Sequence, residues 1–226
     1  MNDYQWNKLP ASRIFKIQGG NSFKSSDAQE TGIRWLKIAN VSFGKILWED
    51  ESFLPSNFIE VYRDFLLKEG DIIMSLTRPV LSGRLKISKV QAYDIPSLLN
   101  QRVGRLILKG DVDTEFIYQV LLQKRIAYEI EQNLQGTDPP NLSINTFDNI
   151  IIPLPPLAEQ KAIAETLGLW DKAITKLERL IALKEKRFQW LLHELIGQKI
   201  KEAEITENGW KKVKLGDVGQ IIMGNL

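Results

Sequence analysis

The sequence has no cysteine, one histidine and three methionines among 226 residues. Without cysteine there is no disulfide framework, no thiol nucleophile and no thiolate metal site, and the chain suits a reducing compartment. His193 has no cysteine or second histidine to complete a ligand set, which excludes a zinc centre and leaves a solvated residue on a helix. No apolar run approaches the ~20 residues that a membrane span requires. The start, Met1-Asn2-Asp3-Tyr4, carries no signal-peptide pattern. A soluble, cytoplasmic protein without membrane contact is expected. Hydrophobic residues, at 43%, suffice for a real core.

Net charge is small too, at +2, but the charges are segregated. Arg78, Arg84, Lys86, Lys89, Arg102, Arg105 and Lys109 stand in one stretch against a single acid, Asp94. Between Glu49 and Asp71 seven acids face only Arg63 and Lys68. A basic face on a nearly neutral domain is how an anionic partner is met.

What the chain does have is one long helical pattern. It opens at Pro153-Leu154-Pro155-Pro156-Leu157-Ala158-Glu159-Gln160 and carries Ile163, Leu167, Trp170, Ile174, Leu177, Ile181, Phe188, Leu191 and Leu195. The steps alternate four and three, a heptad seam rather than the wider stripe of an ordinary surface helix. Lys184 fills one seam slot, either setting register or snorkelling its ammonium to water. At ~1.5 Å per residue the helix extends on the order of 60 Å. A seam of that length requires a partner helix, and no second heptad run exists in the sequence. A homodimer through this helix is expected.

Ahead of the helix, β-type runs alternate with turns. Arg34–Ile38, Gly44–Trp48 and Phe58–Val61 read as strands, and Gly70-Asp71 turns tightly into Ile72–Ser75. Gly83–Ile87 and Arg105–Leu108 alternate polar and apolar residues, which sends basic side chains to one sheet face. Asp113 or Thr114 caps a helix on which Phe116, Val120, Ala127, Ile130 and Leu134 share a face. Helix and strand mix without a βαβ rhythm, so the fold class is α+β. After the long helix, Trp210, Lys212, Ile221, Gly224 and Asn225 repeat Trp6, Lys8, Ile17, Gly20 and Asn21 at a constant offset of 204. This reads as the opening of a second repeat. The expected organisation is a domain at 1–153, a long helix at 154–200 and the start of a second copy at 201–226.

Gly70-Asp71-Ile72-Ile73-Met74-Ser75, Leu98-Leu99-Asn100-Gln101, the Pro-Leu-Pro-Pro-Leu-Ala-Glu-Gln lead-in and the seam with Trp170-Asp171 resemble the specificity subunit of Type I restriction-modification enzymes. The resemblance covers essentially the whole chain, and the proline-rich lead-in is its strongest motif. It implies a target recognition domain that reads half of a bipartite site in double-stranded DNA. In that family two such domains are joined by two conserved antiparallel helices that act as a ruler. Methylation and cleavage belong to separate methyltransferase and restriction/translocase subunits. S-adenosylmethionine, ATP and Mg2+ would therefore sit on those partners, with no cofactor in this chain. Compared with that pattern, the chain holds one recognition domain, one helix and the opening of a second copy.

Three features imitate a catalytic site. Asp138-Pro139-Pro140-Asn141 approximates the loop with which amino methyltransferases grip a flipped base. Asn141 stands where an aromatic residue would stack, and no strand with a Gly-rich turn precedes it, so a structural turn is the better reading. Glu49-Asp50-Glu51 is a run of adjacent acids, usually solvated surface, and His193 is isolated. The expected protein is non-catalytic. Alternatives are a coiled-coil adaptor whose head binds protein and a methyltransferase fragment.

Base reading requires fork donors and amides on exposed strands or loops. Arg pairs bidentately with guanine and Asn or Gln with adenine, while Lys, Ser and Thr mainly hold phosphates. The candidates are Lys24, Arg34, Lys37, Thr77, Arg78, Arg84, Lys86, Asn100, Gln101 and Arg102. Asn100-Gln101-Arg102 is the sharpest, a polar triplet between Leu98-Leu99 and Val103 within the basic stretch. Trp35 and Trp48 read as core rather than as stacking platforms.

Overall fold

Among the described residues, short runs of β-branched and leucine residues, cut by turn residues, pair into four small sheets. The computed structural model describes residues 6–49, 51–134, 140–194 and 213–214. It divides into one unit at Met1–Gly168 and a second at Leu169–Leu226. The chain runs β1 (Asn7–Pro10), α1 (Ala11–Ile14), β2 (Phe15–Gly19), β3 (Ile33–Leu36), β4 (Phe53–Leu54), α2 (Phe58–Val61) and β5 (Ile72–Ser75). It continues through β6 (Val80–Leu81), β7 (Arg84–Leu85), β8 (Ile87–Lys89), β9 (Ser97–Leu99), β10 (Val103–Leu108), α3 (Thr114–Leu121) and α4 (Lys124–Gln132). Last come β11 (Ile151–Leu154) and α5 (Leu157–Leu192). The class is α+β, as expected.

The first unit is built on the antiparallel sheet β2-β10-β5-β8. Successive side chains of β5 point to opposite faces and both faces are covered. Ile72 and Met74 join the main core with Phe15, Ile87, Leu106, Ile117, Leu121, Ile126 and Ile130. Ile73 joins a second cluster with Leu36, Leu99 and Val103. A smaller sheet, β4-β3-β9, pairs β3 in parallel with β9 and carries a third cluster of Phe23, Ile33, Trp35, Leu54 and Leu98. Trp35 is buried in that cluster and Trp48 packs on the second, so both tryptophans are core.

Three local expectations change. Phe58–Val61 is the helix α2, not a strand, because the Pro55, Ser56 and Asn57 carbonyls accept the amides of Phe58, Ile59 and Glu60. One turn of helix then sets Phe58 and Tyr62 on one side, ring centroids 4.9 Å apart. Gly44–Trp48 is a loop laid against β8, with the Gly44 amide donating to the Ile87 carbonyl and the Ser88 hydroxyl donating to Ser42 and Lys45. The expected single helix after Asp113 is two, since Gln123 is extended (φ −66°, ψ 137°) and turns α4 onto the β6–β7 hairpin. Phe116, Val120, Ala127 and Ile130 are buried as expected, two on each helix.

The proline-rich lead-in has a structural job. β11 pairs with β1, setting Leu9 opposite Ile152. The buried Gln160 amide then accepts from the Asp113 backbone N–H (2.9 Å) and donates to the Pro155 carbonyl (2.8 Å). Asp113 caps α3 by accepting from the Phe116 amide (2.9 Å). Ala164 is buried and Ile163 packs on the main core, so the first turns of α5 seal the first unit, which reaches Gly168. Among the described residues no helix is long and apolar enough to cross a membrane. Leu195, the segment at 135–139 and the repeat at 201–226, Val213 and Lys214 excepted, lie outside the described residues.

Candidate nucleic-acid interface

Register decides which loops meet. Gly104 pairs with Gly19, Val103 with Ser75, and Met74 with Ile87. The exit of β2, the lead into β10, the exit of β5 and the lead into β8 therefore lie at one end of the sheet. The parallel pair adds the exit of β3, where the Asn100 amide donates to the Leu36 carbonyl (3.1 Å). Further links lock these loops together. The Asn21 amide donates to Leu99 (2.9 Å), its carbonyl accepts from Gln101 (3.0 Å), and the Leu76 amide donates to Arg102 (2.9 Å).

Gly20 makes the close approach possible. A Cβ there would stand 2.2 Å from the Leu99 carbonyl oxygen and 2.3 Å from that of Asn100. Only glycine fits between these two backbones.

The expected residues divide. At the sheet end stand Thr77, Arg78, Arg84, Lys86, Asn100, Gln101 and Arg102, with Gln101, Arg102, Arg78 and Arg84 exposed. Asn100 accepts the Arg102 amide on its side-chain oxygen (3.2 Å), which sets the shape of the triplet and leaves Gln101 and Arg102 at its apex. The Arg78 amide donates to Pro140 (2.9 Å), and the Thr77 hydroxyl donates to the Asn141 side-chain oxygen (2.8 Å). Pro140 and Asn141 thus line this end. Burial lowers the pKa of Lys86 below the ordinary lysine value.

Lys24, at the exit of β2, is exposed and its backbone N–H donates to Asp27 (2.8 Å). Lys37 lies beside Asn100, but its ammonium sits 4.2 Å above the Trp35 ring and donates to the Ser52 hydroxyl (2.8 Å). Arg34 is at the other end of β3. It donates to the Tyr93 carbonyl (2.6 Å), pairs with Glu51 (3.2 Å) and covers Trp48 (5.0 Å). Those contacts clamp loops to the core.

The basic stretch is split in the same way. Arg105 is 9% exposed, and its guanidinium donates to Asp71, Gln18 and the carbonyls of Leu66 and Asp64. Lys89 pairs with Glu115, and Lys109 donates to the Ser12 carbonyl (2.6 Å). These three hold the fold. Asn21 and Asn141 also stand at this end, though neither is among the sequence candidates; the Gly-Gly-Asn-Ser turn marks the first. Among the described residues no three histidines, aspartates or glutamates cluster to hold a metal.

The sequence profile of the Type I restriction modification DNA specificity domain matches residues 5–185. The MjaVIII specificity subunit of Methanocaldococcus jannaschii is 39% identical over 89% of this chain and 48% of its own. The EcoAI specificity subunit of Escherichia coli is 27% identical over 79% of this chain and 28% of its own. The chain thus spans about half, or less, of the length of these curated relatives. A solved Type I restriction-modification S subunit from M. genitalium shares the fold with a TM-score of 0.59 at 20% identity, over 92% of this chain and 49% of that one. With its profile match across most of its length, this chain belongs to the Type I restriction modification DNA specificity domain family.

Proposed function

We propose that this chain recognises a specific sequence in double-stranded DNA and thereby directs methyltransferase and restriction/translocase subunits, without catalysing a reaction itself. The observation that carries this reading is the convergence of Arg78, Arg84, Gln101 and Arg102 at one sheet end, in a chain of the specificity family. Fork donors and an amide on loops locked backbone to backbone are preorganised for base edges. A protein-binding head, the adaptor reading, would lack strong salt-dependent binding to DNA. S-adenosylmethionine, ATP and Mg2+ belong to the partner subunits in this reading, and the setting is the cytoplasm.

The test is binding of the chain to duplex DNA as salt is raised. Affinity should fall steeply as phosphate contacts release counterions, and one sequence should be enriched from a random pool. Binding insensitive to salt, or enrichment of no sequence, would sink the proposal.

The second half of the proposal is a homodimer through α5. Trp170, Ile174, Leu177, Ile181 and Phe188 of the second unit are each at least half exposed, at seam spacing. Leu191 is half-buried, and in the first unit Leu167 is 40% exposed, while Ile163 belongs to that unit's own core. Each large apolar residue buried contributes about 1.5–3 kcal/mol, enough over such a seam to outweigh the entropy of association. Two-fold antiparallel pairing would place two identical recognition domains on a palindrome interrupted by a spacer. Sedimentation should show a dimer that Ile174→Asp with Leu177→Asp dissolves; a well-folded monomer at all concentrations contradicts it.

A further inference from the structure

β6 and β7 prolong the β5–β8 pair past the end of the sheet. The Lys86 amide donates to the Pro79 carbonyl (2.7 Å) and its carbonyl accepts from Ser75 (3.0 Å), so the two pairs run on as one ribbon. The tip is Ser82-Gly83, with φ of 53° and 67°. Two left-handed residues make a type I′ turn, whose twist matches that of the flanking strands. In the register, Val80 faces Leu85 and Leu81 faces Arg84. Opposed residues share a ribbon face and neighbours alternate. Leu85 is buried and Val80 packs on the main core, against α4. Leu81 and Arg84 therefore occupy the outward face. Leu81 is 57% exposed, and the Arg84 guanidinium lies 4.6 Å from the centre of the Phe43 ring. The hairpin is pinned at its base and presents an aliphatic side chain beside a braced fork donor.

We propose that this hairpin enters the major groove, where Leu81 determines specificity by contacting the C5-methyl of a thymine adjacent to the base addressed by Arg84. The inference rests on the DNA-recognition reading above and gives it a residue and a base. A two-stranded ribbon fits the major groove, and the thymine methyl and the guanine O6/N7 pair are both displayed there. In the minor groove an aliphatic residue meets an acceptor pattern that does not distinguish A·T from T·A. Phe43 holds the Arg84 fork in place, so less side-chain freedom is lost on binding. Leu81 opposes Arg84 across the ribbon, which sets the methyl contact one step from the guanidinium contact.

The full chain and its Leu81→Ala form are each given a random duplex pool, and the enriched sequences are read. The enriched duplex is then remade with deoxyuridine in place of each thymine in turn. The wild type should enrich a motif containing one thymine that Leu81→Ala no longer prefers, with the other positions kept. Deoxyuridine at that position should weaken the wild type about fourfold, the effect of one methyl in an apolar contact, and leave Leu81→Ala unaffected. An unchanged motif in Leu81→Ala, or a wild type indifferent to every deoxyuridine, overturns the role of Leu81 even where overall affinity falls. A wild type that enriches no sequence overturns instead the DNA-recognition reading on which the role rests.

Discussion

Arg102 and Arg105 stand three residues apart in the same basic stretch and have opposite surroundings. Arg105 lies in the middle of the sheet, where its guanidinium gathers Gln18, Asp64, Leu66 and Asp71 and bonds β2 and β10 to the loops leading into β5. Arg102 lies at the end of the same strand ladder, exposed, with its backbone bonded to Leu76 and Asn100. Charge alone does not assign a role. Position along β10 separates these two, because the interior of that ladder consumes the Arg105 donors while its end leaves Arg102 exposed.

Removing Arg105 should have the largest effect. Arg105→Ala removes the ion-pair partner of the Asp71 carboxylate and a donor from the Leu66 and Asp64 carbonyls, which should cost about 3–5 kcal/mol in urea denaturation. Arg105→Lys should recover only part, because an ammonium cannot replace the planar fork. An Arg105→Ala chain as stable as the wild type would erase the distinction between the two arginines.

Gly20→Ala should come next. Its Cβ would collide with two backbone oxygens rather than with a side chain able to swing away, so the β2 exit must move. A loss of about 1–3 kcal/mol in stability is expected, accompanied by weaker binding of every DNA sequence.

Arg102→Ala and Gln101→Ala sharpen the comparison from the other side. Both residues are exposed, so the denaturation midpoint should stay within about 0.5 kcal/mol of the wild type. Discrimination between cognate and scrambled duplexes should fall by about 1–3 kcal/mol. Equal losses on both duplexes would reassign these residues to phosphate contact.

The smallest effect concerns Lys86. Burial lowers its folded pKa below the unfolded value, so the unfolded chain holds more protons between the two. The charge is then a cost to stability, fully present below the lowered pKa and relieved as pH rises toward the unfolded value. A phosphate contact needs the charged form, so DNA affinity should decline with alkaline pH, and Lys86→Arg should flatten that decline. A decline that persists in Lys86→Arg would take Lys86 out of the interface.

Much of this was legible before the fold was known. The Asp113 cap, the turn into β5 and the α+β class follow from spacing and turn chemistry. Phe58–Val61 misled because its composition suits a strand, whereas three consecutive carbonyls from Pro55, Ser56 and Asn57 close a helical turn. The break at Gln123 was invisible because residues on both sides keep one apolar face. Arg34 and Lys37 looked like free cations, since neither the Trp48 ring nor the Glu51 and Ser52 partners are fixed by local sequence.

The sequence by itself determined the long heptad helix, its proline-rich lead-in and the segregation of charge, because each depends on neighbours within a few turns or on composition alone. Only tertiary structure decided that the buried Gln160 ties α5 to the cap of α3, and that Ile163 belongs to the core rather than to the exposed seam. It also decided which basic residues are bonded into the fold, as Arg105 and Lys89 are. The loops around Asn21, Arg78 and Arg102 are far apart in sequence and meet because antiparallel register brings the ends of β2, β10, β5 and β8 together. Register is a long-range pairing, set by which side chains the two sheet faces can bury.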